Sequence, residues 1–542
     1  MSKRTNQPAC EARVILGARI PMRDGVGLVG DVYLPPPEGR TWPVVLSMSP
    51  YDATSGRSVG GLAWVKREFA FVAVDCRGRF KSEGQFALWA ELIPDAQDVL
   101  DWITAQPWCD GNIGMVGGSY CAATQLAAVC SRHPALKAAA PSAITSDIYS
   151  IYYTHGALAL AFMPAWHIAM TTQAKPRTPP DWEALLATVP LVDLDDRATL
   201  PSPSWKEVVE HPGRDVFWQA LSFQGRLGGS QAGLFLQNGW FDNIGTGVFA
   251  MFNELPSART CLRVGPWGHG VNVKEGDIDY GPAAIVTETA EIDFLTAQLR
   301  GQTPVAPRLE IFVMGDNEWR CENEWPLQRT RWTPLYLGPA GSLSWNKAAA
   351  SQPDTFTYDP QNPVPTWGGR GVGRSGQREQ TEIEKRPDVL VYTLPALPDD
   401  LEVTGPVTLT LFAASSARDT DFTVKLVDVF PDGRSFNVCD GILRARFRGG
   451  VDQPPELLVP GQVYELTIDV DVTAYVFKRG HGIRVQISSS NFPHYSRNPN
   501  TGNPLATDTE MQLAVQTIHH SAEHPSCLVL PVISRPTTRK NS

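Results

Sequence analysis

Met115-Val116-Gly117-Gly118-Ser119-Tyr120 puts a serine where a short apolar strand turns directly into an Ala-rich helix. On so tight a bend the hydroxyl stands clear of the sheet and neighbouring amides face the same space. The helix N-terminus behind it favours developing negative charge. This is the arrangement of a nucleophile that attacks a carbonyl. Gly117 is small, as the close approach before the serine requires. After it, Cys121 stands where the G-x-S-x-G pattern has glycine, and the small residue Ala122 comes one position later. A serine cap at a helix start accounts for the same residues without any chemistry.

A nucleophilic serine needs a base, and the base needs a carboxylate to orient it. In α/β-hydrolases the chain order is serine, acid, histidine. Asp242, in Asn238-Gly239-Trp240-Phe241-Asp242-Asn243, follows an apolar run at Leu234–Gln237. His269, in Gly265-Pro266-Trp267-Gly268-His269-Gly270, follows another at Cys261–Val264. Loops at strand ends are where open α/β sheets bind ligands. Of the ten histidines only His269 has this setting: His133 ends the helix after Ser119, and His519, His520 and His524 lie in a β-rich tail. His520 and His524 are four apart without helical context, which argues against a metal pair. Taken alone His269 reads as an ordinary loop histidine, and only with Ser119 and Asp242 does it read as a base. Asp75 and Arg77 read as a structural ion pair or turn, and Asp95, Asp98 and Asp101 as the solvated face of an amphipathic helix.

The elements that must position these residues alternate. Val14–Ile20 and Val26–Leu34 flank the turn Arg23-Asp24-Gly25 as a hairpin. Strands are expected at Val44–Met48, Phe69–Val74 and Ile113–Val116, and helices over Pro94–Gln106 and Tyr120–Ser131. Strand and helix in alternation imply a mostly parallel sheet covered on both faces. Between about Ser146 and Gly229 the alternation lapses into Trp- and Pro-rich, helix-compatible sequence such as Asp181–Thr188 and Ser204–Val209. It resumes with a helix at Ile244–Leu255 between the two later strands and another at Ile292–Leu299. From about Arg331 come short strands, among them Val407–Leu411, Phe422–Val429, Tyr464–Val470 and Ile483–Ser488, with turns such as Pro431-Asp432-Gly433. These fit a β-sandwich or jelly roll. The expected division is an α/β domain over 1–145 and 230–330, an inserted cap over 146–229, and a β domain over 331–542. Gly371-Val372-Gly373-Arg374-Ser375-Gly376 is formally GxGxxG, but it has no strand before it or helix after it and reads as a loop.

The chain has 542 residues, 42% hydrophobic and 19% charged, a globular composition of several domains. A net charge of −10 argues against nucleic acid or an anionic membrane as partner. The basic start, Met1 to Val14, has no apolar core of a secretory signal, and Gly156–Trp166 is too short to span a bilayer. Nine scattered cysteines without a CxxC pair suggest neither a disulfide framework nor a zinc site. Together these point to a cytoplasmic protein; they set no oligomeric state.

The chain resembles the CocE/NonD hydrolases, the superfamily of cocaine esterase and X-prolyl dipeptidyl-peptidase, over nearly its whole length. The resemblance is carried by Met22-Arg23-Asp24-Gly25, Ser49-Pro50-Tyr51, Asp75-Cys76-Arg77-Gly78 and Ser82-Glu83-Gly84. It continues in Gln106-Pro107-Trp108-Cys109-Asp110-Gly111-Asn112-Ile113-Gly114 and in the Ser119, Asp242 and His269 segments. Asn362 to Gly369 and Ser490-Asn491-Phe492-Pro493 extend it into the β-rich part. The family pattern is G-x-S-Y-x-G, whose last glycine is Ala122 here. The resemblance implies an α/β-hydrolase, a helical cap and a C-terminal jelly roll. It implies Ser119 as nucleophile, His269 as general base and acid, and Asp242 as orienter. It also implies an oxyanion hole made of the Tyr120 amide and the Tyr51 hydroxyl, with no metal or organic cofactor.

Relatives of this kind hydrolyse esters, α-amino acid esters, β-lactam side-chain amides or X-Pro peptides, so the expected partner is a small ester or amide. A free α-amine would call for carboxylates, and the cap offers Asp147, Glu183, Asp193, Asp195 and Asp196. Its aromatics, Tyr149, Tyr152, Tyr153, Phe162 and Trp166, suit an apolar or aromatic acyl group and equally a cap core, with Tyr152, Phe162 and Trp166 the candidates for binding. The expectation is a carboxylic ester hydrolase, with an amidase or aminopeptidase as the alternative. A non-catalytic binding protein is the reading from another class, and the presence of all three triad residues argues against it.

Overall fold

The computed structural model describes residues 12–53, 59–172, 178–244, 247–285, 289–304, 306–348, 351–371 and 375–535. Most of the basic N-terminal stretch from Met1 to Val14, which lacks the apolar core of a secretory signal, and the middle of the Gly371–Gly376 segment lie outside these.

The first part is a ten-stranded sheet: β1 (Arg13–Pro21), β2 (Gly27–Leu34), β3 (Trp42–Ser49), β4 (Ala70–Asp75), β5 (Cys109–Gly118), β6 (Leu136–Ser142), β7 (Gly233–Gly239), β8 (Thr260–Gly265), β9 (Leu309–Val313) and β10 (Glu318–Glu322). The order is β1-β2-β4-β3-β5-β6-β7-β8-β9-β10. From β4 to β9 neighbours run parallel, while β1, β2 and β10 are antiparallel additions at the edges. Side chains alternate between two packed faces. Val44, Leu46, Val72, Val74 and Met115 face the helices α2 (Leu92–Thr104) and α3 (Tyr120–Ser131). Val45, Phe71, Ala73, Ala138 and Phe235 face α1 (Val59–Val65) and α9 (Thr289–Leu299) on the other side. Burial on both faces is why these strands read as unbroken apolar runs.

Three strands escape the sequence pattern: β6, whose Leu-Lys-Ala-Ala-Ala-Pro-Ser resembles no alternating strand, and the β9–β10 hairpin. The helix expected from Ile244 begins at Val248, as α8 (Val248–Glu254). The inserted segment carries the cap helices α4 (Met163–Thr171), α5 (Trp182–Leu186), α6 (Pro203–Glu210) and α7 (Val216–Leu221), with a short hairpin at Tyr153–Leu158. No described helix is long and apolar enough to cross a membrane.

Two charge assignments made from sequence are corrected. Of the ion pair or turn expected at Asp75 and Arg77, the turn is present, with Arg79 N on the Cys76 carbonyl at 3.0 Å, but Arg77 takes its carboxylates from elsewhere. Its guanidinium reaches Asp95 (Nε to Oδ2, 3.0 Å) and Asp24 (2.7 Å), while Asp75 accepts the Ala53 amide at 2.7 Å. The acidic side of α2 is not a solvated face either. Asp95 is buried, and Asp98 accepts bonds from the Arg23 backbone and guanidinium. The β1–β2 turn supplies Arg23 to this side of the helix and the loop after β4 supplies Arg77, and of the three carboxylates Asp101 is the open one, beside His133. Burial raises the Asp95 carboxyl, and the Arg77 hydrogen bond opposes it.

The remaining chain forms a largely antiparallel eleven-stranded sheet that begins with the short strands β11 (Arg331–Gly338), β12 (Ser342–Ser344), β13 (Asp354–Tyr358) and β14 (Leu390–Leu394) and is built on the long strands β15 (Leu401–Ser415), β16 (Asp421–Val429), β17 (Ser435–Arg444) and β18 (Tyr464–Phe477). β18 pairs with β15 and packs closely over β17, so that a Cβ on Gly441 would sit 1.9 Å from the Asp469 carbonyl. This is the jelly-roll part of the fold. Arg444 leaves it for the cap. Fully buried, it forks onto Asp421 (2.9 and 2.8 Å) and donates to the carbonyls of Ser496 (2.9 Å) and Gly156 (3.3 Å). Removing one partner strands a buried charge. Arg444→Met is therefore expected to destabilise by about 3–5 kcal/mol, measured as a lower denaturant midpoint.

Candidate active site

The turn after β5 has the strain a nucleophile elbow requires. Ser119 has φ 59° and ψ −127°, outside the space a serine ordinarily occupies, and its side chain makes no capping hydrogen bond to α3. The capping alternative therefore does not describe this residue. Such strain persists only where surroundings hold it, and here Ser119 N is tied to the Ser142 carbonyl at 2.9 Å. The glycines follow from contact distances. A Cβ on Gly117 would lie 2.6 Å from Cys121 Cβ, and one on Gly118 would lie 2.8 Å from Ser142 Oγ. Cys121 is accommodated because Gly117 is bare opposite it. Tyr120 opens the helix, so its amide has no acceptor within the helix.

Asp242 and His269 come from the loops after β7 and β8, which are paired to their ends: Gly239 stands opposite Gly265. The loops continue that pairing, with Trp240 N on the Gly265 carbonyl and Phe241 N on the Trp267 carbonyl, both at 2.9 Å. A side chain on Gly239 would strike the Trp267 carbonyl at 2.1 Å. Asp242 is fully buried and accepts the Ile244 amide at 2.9 Å. Its two oxygens lie 3.1 and 3.2 Å from His269 Nδ1. That contact holds the proton on Nδ1 and leaves Nε2 as a proton acceptor. Burial alone would lower the His269 imidazole, but the hydrogen bond and charge of Asp242 outweigh it, and the group sits above its ordinary value.

Tyr51 follows β3, the strand next to β5. Its hydroxyl accepts a hydrogen bond from Trp166 Nε1 at 3.1 Å, and its phenol interacts with the Ser119 side chain. Burial raises the phenol, which keeps it protonated and able to donate. The elements thus bring Ser119, Tyr120 and Tyr51 together at the ends of β5 and β3, and Asp242 and His269 together at the ends of β7 and β8, with β6 between the two groups.

A narrow cleft beside Ser119 is lined by Trp89, Tyr120, Ile144, Ile151, Phe162, Met163, Trp166 and Ile244. Of the three cap aromatics expected at the substrate, Phe162 and Trp166 are here. Tyr152 is not. It is fully buried behind the wall, where its hydroxyl takes Trp89 Nε1 at 3.2 Å and meets His167 Nδ1 at 2.9 Å. His167, the other histidine near the cleft, is spent on Tyr152 and on Ser204 (2.9 Å), and burial pushes it down to about 3. The aliphatic lining from Ile144, Ile151 and Ile244 had no signal in the sequence beyond ordinary apolarity. Trp89 could have been found: it stands in an apolar Leu-Trp-Ala step just before a helix.

None of the cap carboxylates belongs to this lining. Asp147 pairs with Arg214 at 3.2 Å, Asp195 accepts the Ser202 amide at 2.7 Å, and Asp196 pairs with Lys206 at 3.0 Å. Glu183 is exposed on α5 and Asp193 half-buried near α6. The jelly-roll part closes the site from behind: Gly371 N donates to the Phe241 carbonyl at 3.0 Å, and Ser375 donates to Glu275 at 2.5 Å against Gly268.

Residues 24–271 match the X-Pro dipeptidyl-peptidase (S15 family) profile, and residues 305–529 match the X-Pro dipeptidyl-peptidase C-terminal non-catalytic domain. The chain is 40% identical to the cocaine esterase of Rhodococcus sp. (strain MB1 Bresler), covering 95% of this chain and 98% of that one. Among solved structures it resembles an aminopeptidase from the marine sediment archaeon Thaumarchaeota archaeon, with TM-score 0.84 and 25% identity over 98% and 99% of the two chains. It also resembles an α-amino acid ester hydrolase, with TM-score 0.82 and 26% identity over the same shares.

Proposed function

This chain belongs to the CocE/NonD family and is a serine hydrolase, and from that premise we propose that it cleaves carboxylic esters of small apolar or aromatic acyl groups through an acyl-enzyme formed on Ser119. His269 Nε2 takes the Ser119 proton as the oxygen attacks the carbonyl carbon. Asp242 steadies the imidazolium that results. The Tyr120 amide and the Tyr51 hydroxyl hold the tetrahedral oxyanion. The alcohol leaves with the proton from His269. Water, deprotonated by the same imidazole, then releases the acid and restores Ser119.

The observation that carries the ester reading is the chemistry of the cleft wall. Among the described residues the lining beside Ser119 is aromatic and aliphatic without a carboxylate, and Asp147, Asp195 and Asp196 are engaged elsewhere. An ammonium group placed there would lose its water without gaining a partner, which is costly. The amidase or aminopeptidase reading has its support in the likeness to the archaeal aminopeptidase and the α-amino acid ester hydrolase. A substrate panel separates the two. With p-nitrophenyl acetate, butyrate and benzoate set against aminoacyl and X-Pro p-nitroanilides, kcat/KM is expected to favour the acyl esters by at least about a hundredfold. Faster turnover of anilides would reverse the assignment. A cytoplasmic setting belongs to the same proposal and is supported by the eight described cysteines, all free thiols.

A further inference from the structure

The cap helix α4 reaches the Tyr51 hydroxyl as well as walling the cleft. Trp166 Nε1 lies 3.1 Å from the Tyr51 hydroxyl, a contact between residues 115 apart in the chain. An indole N–H can only donate, so here the phenol oxygen must accept. Its single O–H is thereby turned away from the indole and left for the side where Ser119 interacts with it. Tyr51 is 37% exposed, and without the indole its hydroxyl would exchange among water partners of either polarity.

Both sides of this contact are held in place. Trp166 is packed by the rings of Trp89 (5.9 Å), Tyr120 (6.2 Å) and Phe162 (6.4 Å). Arg79 donates to the Pro50 carbonyl at 3.0 Å and to the Met170 carbonyl at 3.1 Å, tying the Tyr51 loop to the end of α4.

We propose that Trp166 is the positioning residue of the oxyanion hole: its N–H fixes the direction of the Tyr51 O–H, so that the hydroxyl already points at the place where the oxyanion forms. A donor aimed in advance needs no reorganisation at the moment of reaction. The inference rests on Tyr51 serving as an oxyanion donor.

The test is steady-state hydrolysis of p-nitrophenyl butyrate by Tyr51→Phe, Trp166→Phe, the double variant, and protein carrying benzothienylalanine at Trp166, which keeps the ring shape but has sulfur for N–H. Tyr51→Phe is expected to lower kcat by about 10²–10³-fold. The sulfur isostere is expected to lower kcat by about tenfold or more with KM within about threefold, and to change kcat by less than about twofold when Tyr51 is already Phe. Trp166→Phe, which also thins the cleft wall, should raise KM as well. If Tyr51→Phe keeps full kcat, the oxyanion role of Tyr51 fails and this inference falls with it. If Tyr51→Phe behaves as expected but the isostere keeps full kcat, or loses the same factor in both backgrounds, only the role of Trp166 is overturned.

Discussion

Ser119→Ala is expected to lower kcat for ester hydrolysis by about 10⁶-fold and to abolish covalent labelling by a fluorophosphonate. The size of the effect follows from the mechanism. Without the hydroxyl there is no acyl-enzyme, and only binding and the oxyanion donors remain to assist direct attack by water. The variant should fold normally, because the Ser119 side chain makes no capping bond and the turn is held by its backbone amide on Ser142. A melting temperature close to the parent, together with lost labelling, separates chemistry from folding. A folded variant that keeps its activity would remove Ser119 from the mechanism, and an unlabelled, folded parent would favour a binding protein.

Asp242→Asn is expected to lower kcat by about 10⁴-fold and to move the acid limb of the kcat/KM profile. His269 must be neutral to accept the Ser119 proton, so activity rises as pH climbs through its pKa. In the parent Asp242 holds that value above the ordinary 6.5 against the opposing effect of burial. Asparagine removes the charge and leaves burial acting alone, so the acid limb should shift to lower pH, below 6.5. An asparagine amide can also face Nδ1 with its N–H₂ and favour the wrong tautomer, which adds to the loss at every pH. A profile whose limb stays in place would show that another carboxylate faces this imidazole.

How far the sequence led depended on the range of each interaction. The placement of Ser119, Asp242 and His269 at strand ends was legible because each follows an apolar strand and sits in a Gly-rich loop, a signal carried within a few residues. The turn at Arg23-Asp24-Gly25 and the helix Tyr120–Ser131 were legible for the same local reason. Asp95 was misread because its partner, Arg77, lies in a separate loop, and the helix pattern alone cannot distinguish a carboxylate facing water from one facing a cation. Tyr152 was misplaced because aromatic content says that a cap has a core but not which ring faces the cleft. β6 was hidden by three alanines and a proline, a composition that resembles neither an alternating nor a β-branched strand. Trp166 beside Tyr51 is a pairing that only folding creates.

The bonds from Gly371 to Phe241 and from Ser375 to Glu275 bear on how far this enzyme can be reduced. They set residues of the β-rich part directly behind the loops of the proposed acid and base, while Arg444 anchors the cap. A miniaturised catalyst cut before that part would have bare backbone behind the two loops whose alignment the proton relay needs. Engineering of a smaller hydrolase would therefore do better to trim exposed turns such as Pro431-Asp432-Gly433 than to treat the two halves as separable modules.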